Sequence, residues 1–329
     1  MPRLLILLLA ACLVLSGCSA YNPLAPMVSD SSEVGAAIPA PRPDVDISTR
    51  EAATLWFRFG TEPYLAPESR EIELSPTEPY ELSLLRALIS GPSASAAELS
   101  GLYPPGTQVI STYRQDRLLV VTLSRQIMNN YADETDNWAA QPDRAEEARL
   151  RRTLAMQAIA ATVTENCPVD KIVILVEQGS QVTDSMRLRQ QYYRTTSDDA
   201  ALAEPLIRDE ALLLTQQTTL DVILRTWSER DWLQLYRYIA RRDSETGQER
   251  PEYEAFAALM DDLPHLTDYA FAGGHVTQDG IQATFTLDAT LMLDGNEAAL
   301  EDSIIHLTRE RGLWRIGVSQ LTCRKEAAP

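Results

Sequence analysis

Lys171-Ile172-Val173-Ile174-Leu175-Val176-Glu177 is the stretch on which the fold turns. Its two alternating sets, Ile172, Ile174 and Val176 against Val173 and Leu175, are both apolar, so the spacing predicts a strand covered on both faces. Upstream, Arg144 to Glu165 reads as a long helix with two apolar rows, Leu150, Leu154, Ala158 and Met156, Ile159, Val163. Before it, Thr107 to Tyr113 and Arg117 to Leu123 are predicted as a hairpin turning at Gln115-Asp116. An earlier helix has both ends marked: Pro79 in its first turn, Tyr80, Leu84, Leu85, Leu88 and Ile89 at helical spacing, and a stop at Gly91-Pro92. Thr54 to Phe59 and Arg70 to Leu74 supply two opening strands, giving the order ββαββαβ over residues 51–178.

Downstream the pattern changes. Residues 179–206 are polar and rich in Arg, Gln and Ser, and read as a linker with Gln190 to Tyr193 as a short strand. In residues 207–325 helices come first, at Arg208 to Trp227, Asp231 to Arg241 and Pro251 to Leu263. Then Ile281, Ala283, Phe285, Leu287, Ala289, Leu291 and Leu293 alternate with mostly polar partners, which predicts a strand with one face to water. Asp294-Gly295 and Arg311-Gly312 turn it into two further strands, Leu300 to Arg309 and Leu313 to Val318. Helices followed by long curved strands, with Gly312-Leu313-Trp314-Arg315-Ile316 near the end, resemble the nuclear-transport-factor-like α+β cone. The chain is thus expected to be α+β, an α/β sandwich followed by such a cone, and 329 residues suit two units.

Composition narrows the function classes. Hydrophobic residues at 45% can bury a core, and 29 − 47 = −18 charges would repel phosphate backbones, so no nucleic-acid partner is expected. Arg3 precedes an apolar run from Leu4 to Leu15, which at about 12 residues is too short for a permanent span but fits the apolar core of a signal peptide. Leu15-Ser16-Gly17-Cys18 resembles the bacterial lipobox. The resemblance implies removal of residues 1–17, a covalent diacylglycerol on Cys18 and no other cofactor. The alternative is a general secretory cut near Ala20. Residues 18–50, with Pro23, Pro26, Pro39, Pro41 and Pro43, read as a flexible tether to the extracytoplasmic face of the cell membrane. With Cys18 acylated, Cys167 and Cys323 are left as a disulfide pair or as two buried thiols.

The ordered set Ala87-Leu88-Ile89-Ser90-Gly91-Pro92, Tyr103-Pro104-Pro105-Gly106-Thr107-Gln108-Val109, Val120-Val121-Thr122-Leu123-Ser124 and Val169 to Val176 resembles the GerMN domain of bacterial sporulation and germination lipoproteins, found also in LpqB lipoproteins. Gly91, Pro92, Pro105, Gly106 and Ser124 are its motif positions here, and each also has a structural reading: a left-handed helix cap, a helix stop or a loop. One departure is Glu177-Gln178, which stand before Gly179 where the family places a glycine directly after the strand. The resemblance implies a non-catalytic scaffold or assembly factor of sporulation or germination, with envelope or sporulation proteins, or further copies of itself, as partners. The alternative is an envelope lipoprotein, a sensor or cell-wall binder, with the cone as receptor for a ligand.

Parts of a hydrolase are sparse. His265, His275 and His306 lack metal-motif partners, Ser124 lacks a nucleophile elbow, and Cys167 has no histidine near it in sequence. Gly273-Gly274 lacks the other glycines of a phosphate loop, Trp232, Tyr236 and Phe285 read as core, and no enzyme is expected. Asp133, Glu134 and Asp136 form an acidic loop that would attract calcium weakly at most, without EF-hand spacing. If Cys18 carries the anchor, Cys18→Ser moves the chain from the membrane pellet to the soluble fraction; a variant that still sediments with lipid refutes the anchor.

Overall fold

The computed structural model describes residues 49–134, 141–179, 184–193, 201–293 and 295–322. The opening strand β1, Thr49–Phe59, pairs antiparallel with β2, Leu65–Leu74, and at its far end with the two-residue β3, Leu99–Ser100. Helix α1, Tyr80–Ile89, follows, burying Leu82, Leu84, Leu85 and Leu88. It stops where the sequence says it should: Gly91 takes φ +90°, and its N–H donates to the Leu88 carbonyl at 3.1 Å. Arg70, from β2, donates to the carbonyls of Ala87 and Gly91, placing a cation at the negative end of the helix.

The hairpin β4, Val109–Gln115, and β5, Leu118–Leu123, turns through Asp116 and Arg117. Helix α2, Pro142–Asn166, then crosses over to β6, Lys171–Glu177, which pairs parallel with β5. A further strand, β7, Ser185–Arg187, completes a sheet of order β4-β5-β6-β7. In β6, Ile172, Ile174 and Val176 are buried, while Val173 and Leu175 are half-buried. One face of the strand is therefore sealed and the other is only partly covered.

Several expectations change at this point. Gln190–Tyr193 is a 3-10 turn rather than a strand. Tyr192 and Tyr193 pack edge-on with centroids 5.2 Å apart, whereas successive residues of a strand would face opposite ways. The stretch expected as a linker also lies against the sheet, with Leu206 exchanging hydrogen bonds with Ile172 and the Ala203 N–H reaching the Leu188 carbonyl. From Ile47 onward the chain clusters as one compact unit.

In the second half, helix α3 runs Gln216–Ser228, later than expected, because Thr215 and Thr218 form a reciprocal capping box there. Upstream, the Leu214 N–H donates to the Leu65 carbonyl at 2.8 Å, which holds that segment extended. Helix α4 spans only Trp232–Tyr236, since the chain beyond it lies against the last strand, with Ala240 N–H on the Ile316 carbonyl and Ile316 N–H on that of Tyr238. Helix α5, Tyr253–Asp261, leads to β8, His265–Val276, a strand the sequence does not announce. Only Leu266 is buried in it, and Gly273 and Gly274, both at φ +96°, form a bulge. The sheet has order β11-β10-β9-β8, where β9 is Gln282–Leu293, β10 Asn296–Glu310 and β11 Leu313–Ile316, and the short helix α6, Val318–Thr322, follows. Ala283, Phe285, Leu287, Ala289 and Leu291 of β9 are buried, as their alternation predicts.

The halves meet tightly at Gly312, whose φ is +88° and where a Cβ would lie 2.9 Å from the Pro67 carbonyl oxygen. Gly280 has a similar φ of +71° but open space around it. Gly312→Ala combines backbone strain with a backbone clash and is expected to cost about 1–3 kcal/mol, whereas Gly280→Ala should cost roughly 1 kcal/mol from conformation alone. Thermal unfolding of the two variants checks this; equal losses would show that the close approach at Pro67 carries no energy.

Candidate interaction surface

The first half has two sheets, β2-β1-β3 and β4-β5-β6-β7, which differ in what lies along their strands. β1 is edged by α2 along the stretch β3 leaves bare: Thr162 Oγ1 accepts from Trp56 N–H at 3.0 Å, and Asn166 both accepts from Thr54 N–H and donates to its carbonyl. Those backbone groups are thereby satisfied and withdrawn from strand pairing. The second sheet differs. β4 forms one edge, and register places Tyr113, Val120 and Val173 in one row and Ser111, Thr122, Leu175 and Arg187 in the next. Tyr113 is 65% exposed, and Leu118, Val120, Val173 and Leu175 are half-buried. This face therefore presents exposed Tyr113 beside half-buried apolar side chains, with Thr122 buried between them.

The motif residues hold this surface in shape. Pro105 and Gly106, the latter at φ +82°, turn the chain into β4, with Thr107 N–H returning to the Pro104 carbonyl at 3.2 Å. Ser124 is buried and clasps the far side: its N–H donates to the Gln108 carbonyl at 2.9 Å, and its Oγ accepts from Gln108 N–H at 3.0 Å. Gly91 and Pro92 end α1, on which Glu81 pairs with Arg114 of β4 at 3.0 Å. These are structural roles, made by backbone geometry.

The candidates for chemistry are dispersed. His265 contacts the Ser228 carbonyl at 2.9 Å, while His275 of β8 and His306 of β10 lie opposite Thr284 of β9 from its two sides, His306 contacting Thr284 Oγ1 at 3.0 Å. Among the described residues no group of three or more His, Cys, Asp or Glu could hold a metal ion. The acidic loop is neutralised by α2: Asp133 accepts two bonds from Arg151 at 2.7 and 2.9 Å, and Glu134 is bound by the buried Arg152 at 2.5 and 2.7 Å. The Asp133 and Glu134 carboxylates are thus committed to guanidinium groups rather than open to calcium, and the Arg151 bond holds Asp133 below the usual carboxylate range. Asp136, Cys18 and Cys323 lie outside the described residues. Phe285 is core, whereas Trp232 and Tyr236 are half-buried, Trp232 donating to Asp261 and Tyr236 to the Pro251 carbonyl. No helix among the described residues is long and apolar enough to cross a membrane.

The Germane family model, described as sporulation and spore germination, matches residues 56–182. Those residues are a GerMN domain. Among solved structures the chain is similar to the tandem GerMN domains of the sporulation protein GerM from Bacillus subtilis, at 13% identity and a TM-score of 0.32 over 50% of this chain and 46% of that one. It therefore spans less than half of that tandem structure. A structure described as a lipoprotein from Clostridium perfringens is 23% identical, with a TM-score of 0.27 over 50% of this chain and 92% of that one. A structure described as a polyketide cyclase from Pseudomonas putida is 15% identical, with a TM-score of 0.22 over 35% of this chain and 98% of that one. No curated protein matches significantly.

The GerMN domain contains one further group that a chemical reading would reach for, Cys167. It caps the C-terminal end of α2 and is buried, and that burial pushes its thiol up to about 12. The folded state therefore favours the neutral thiol, and the stability that this proton confers is lost as pH rises above about 9 toward the folded value. Alkylation of Cys167 by iodoacetamide at pH 8, read from its peptide mass, is expected to be on the order of a hundredfold slower in the native chain than in urea. Equal rates would make it an exposed, reactive thiol.

Proposed function

We propose that this chain is a lipid-anchored, extracytoplasmic scaffold of spore development or germination that works by association. The observation that carries this reading is the match of residues 56–182 to the Germane family. Exposed Tyr113, the half-buried Val120 and Val173 beside it and the edge position of β4 support it, because a sheet edge beside apolar side chains is where another chain can add. Cys18 carries the lipid in this reading, and residues 18–50 space the body from the membrane.

The second half takes the nuclear-transport-factor-like cone as its fold in this proposal, on the strength of helices followed by a four-stranded antiparallel sheet. Phe285, Leu287, Leu291, Ile305, Leu307 and Trp314 fill its interior with side chains, which favours a platform over a ligand receptor. Association needs no turnover.

A strain lacking this chain is expected to lose heat-resistant spores or to germinate slowly, and Tyr113→Glu should reproduce the defect without changing thermal unfolding. Normal sporulation and germination in the deletion strain would overturn the cellular role. A deletion defect that Tyr113→Glu fails to reproduce would overturn the assignment of the surface.

A further inference from the structure

Arg125, Arg187 and Arg189 line one cleft of about 370 Å³ together with Met128, Val176 and Met186. The cleft lies at the carboxyl ends of β5 and β6, the one parallel pair among the named strands. Arg125 and Met128 belong to the 3-10 turn that follows β5, Val176 is near the end of β6, and Met186 and Arg187 are on β7. Beyond the carboxyl ends of parallel strands the connecting segments diverge, which leaves the crevice in which α/β folds take up ligands.

The cleft gathers three of the ten arginines that have no carboxylate partner among the described residues; the other seven, Arg144, Arg149, Arg241, Arg242, Arg250, Arg309 and Arg311, are not part of its lining. Thirteen other arginines stand within ion-pair distance of a carboxylate. Arg125, Arg187 and Arg189 have no carboxylate partner among the described residues, and none of the described lining residues is acidic. Arg187 and Arg189 are also half-buried, so they give up hydration without gaining an anion. In a chain of net charge −18, three guanidinium groups left facing one hollow form a local positive site, complementary to carboxylates, which guanidinium binds in a two-pronged geometry.

The apolar part of the lining selects among anions. Met128 and Met186 are 38% and 40% exposed beside Val176, and methionine surfaces adapt to varied apolar side chains. A free phosphate or a sugar acid would use the arginines and leave the methionines idle. Gln178 and Gln191 add amide donors and acceptors suited to a peptide backbone. We infer that this cleft binds an acidic peptide segment with interspersed apolar side chains, its carboxylates on Arg125, Arg187 and Arg189 and its apolar groups on Met128 and Met186. The site stands independently of the role in sporulation, since a chain serving another process would keep the same cleft.

The test uses the full chain in detergent micelles and a fluorescein-labelled octapeptide of alternating Glu and Leu, with anisotropy read against empty micelles. The peptide is expected to bind, to weaken as NaCl is raised from about 0.05 to about 0.5 M, and to lose affinity about tenfold or more in Arg187→Gln/Arg189→Gln. Met128→Asp, at an exposed position, should weaken it as well, while Arg241→Gln, remote from the cleft, should not. Thermal unfolding of each variant separates a lost contact from a lost fold, and Met128→Asp carries the test if the double variant unfolds. Absence of binding, equal binding of the Lys-Leu counterpart, or affinity unchanged by either cleft variant would overturn the inference. So would arginine-dependent recruitment to phosphatidylglycerol vesicles without peptide binding, which would make the cleft a lipid site.

Discussion

A relay of charges running from one half of the body to the other fixes how the parts are set. Glu147 of α2 holds Arg58 of β1, with Arg58 Nη1 2.5 Å from its Oε1, and Arg58 Nε donates to the Glu62 carbonyl at 2.9 Å. The Glu62 carboxylate meets Arg237 at 3.1 Å, the Arg237 carbonyl accepts from Arg315, and Arg315 reaches Glu98 at 2.7 Å, back in the first half. Arg58 and Arg315 are almost wholly buried, so their desolvation is expensive and the pairs add little net stability. Their effect is on geometry. A buried guanidinium that must keep each partner allows one arrangement of the halves, while apolar contacts such as Phe59 against Tyr238, with centroids 5.5 Å apart, supply the attraction.

That constraint bears on the surface. If the halves swung freely, the Tyr113 face of the β4-β5-β6-β7 sheet would meet a partner at varying angles, and the second half would contribute nothing to orientation. With Leu214 hydrogen-bonded to Leu65, and Gly312 packed against Pro67 where no side chain fits, the second half is a rigid extension of the first. A partner gripping Tyr113 and Val120 would then find a platform already aimed, and little conformational freedom is left to lose on binding.

Elements governed by local rules were legible in the sequence. Helix α1 carries its stop in Gly91-Pro92, the hairpin β4–β5 has its turn, and β9 shows its alternation, because each depends on residues a few positions apart. What was missed depends on distant partners. The start of α3 is the exception, set by the local Thr215–Thr218 capping box, but the shortness of α4 follows from Tyr238 and Ala240 pairing with Ile316, and β8 exists as a partner for β9 although only Leu266 of it is buried. The polar composition of residues 179–206 suggested a linker, yet a few apolar side chains, Leu188, Tyr192 and Leu206, suffice to fasten the segment to the sheet.

The candidate surface was legible in the same uneven way. Two apolar sets in β6 foretold a strand with something on each side; that the outer set, Val173 and Leu175, stays half-covered depends on what the rest of the chain leaves unfilled. The arginine cleft was less accessible still, because Arg125 and Arg189 come together only after β5, β6 and β7 are aligned. Composition nevertheless gives such sites an unequal weight. In a chain with 47 acidic and 29 basic side chains, an unpaired carboxylate follows from arithmetic alone and says nothing. Three unpaired arginines gathered on one cleft carry more weight, because anions are in excess throughout the chain. Acidic loops such as Asp133 and Glu134, conspicuous in the sequence, are consumed by Arg151 and Arg152 in the fold, while arginines in a featureless polar stretch remain available. A cluster of the scarcer charge is thus more informative than any single unpaired side chain of either sign.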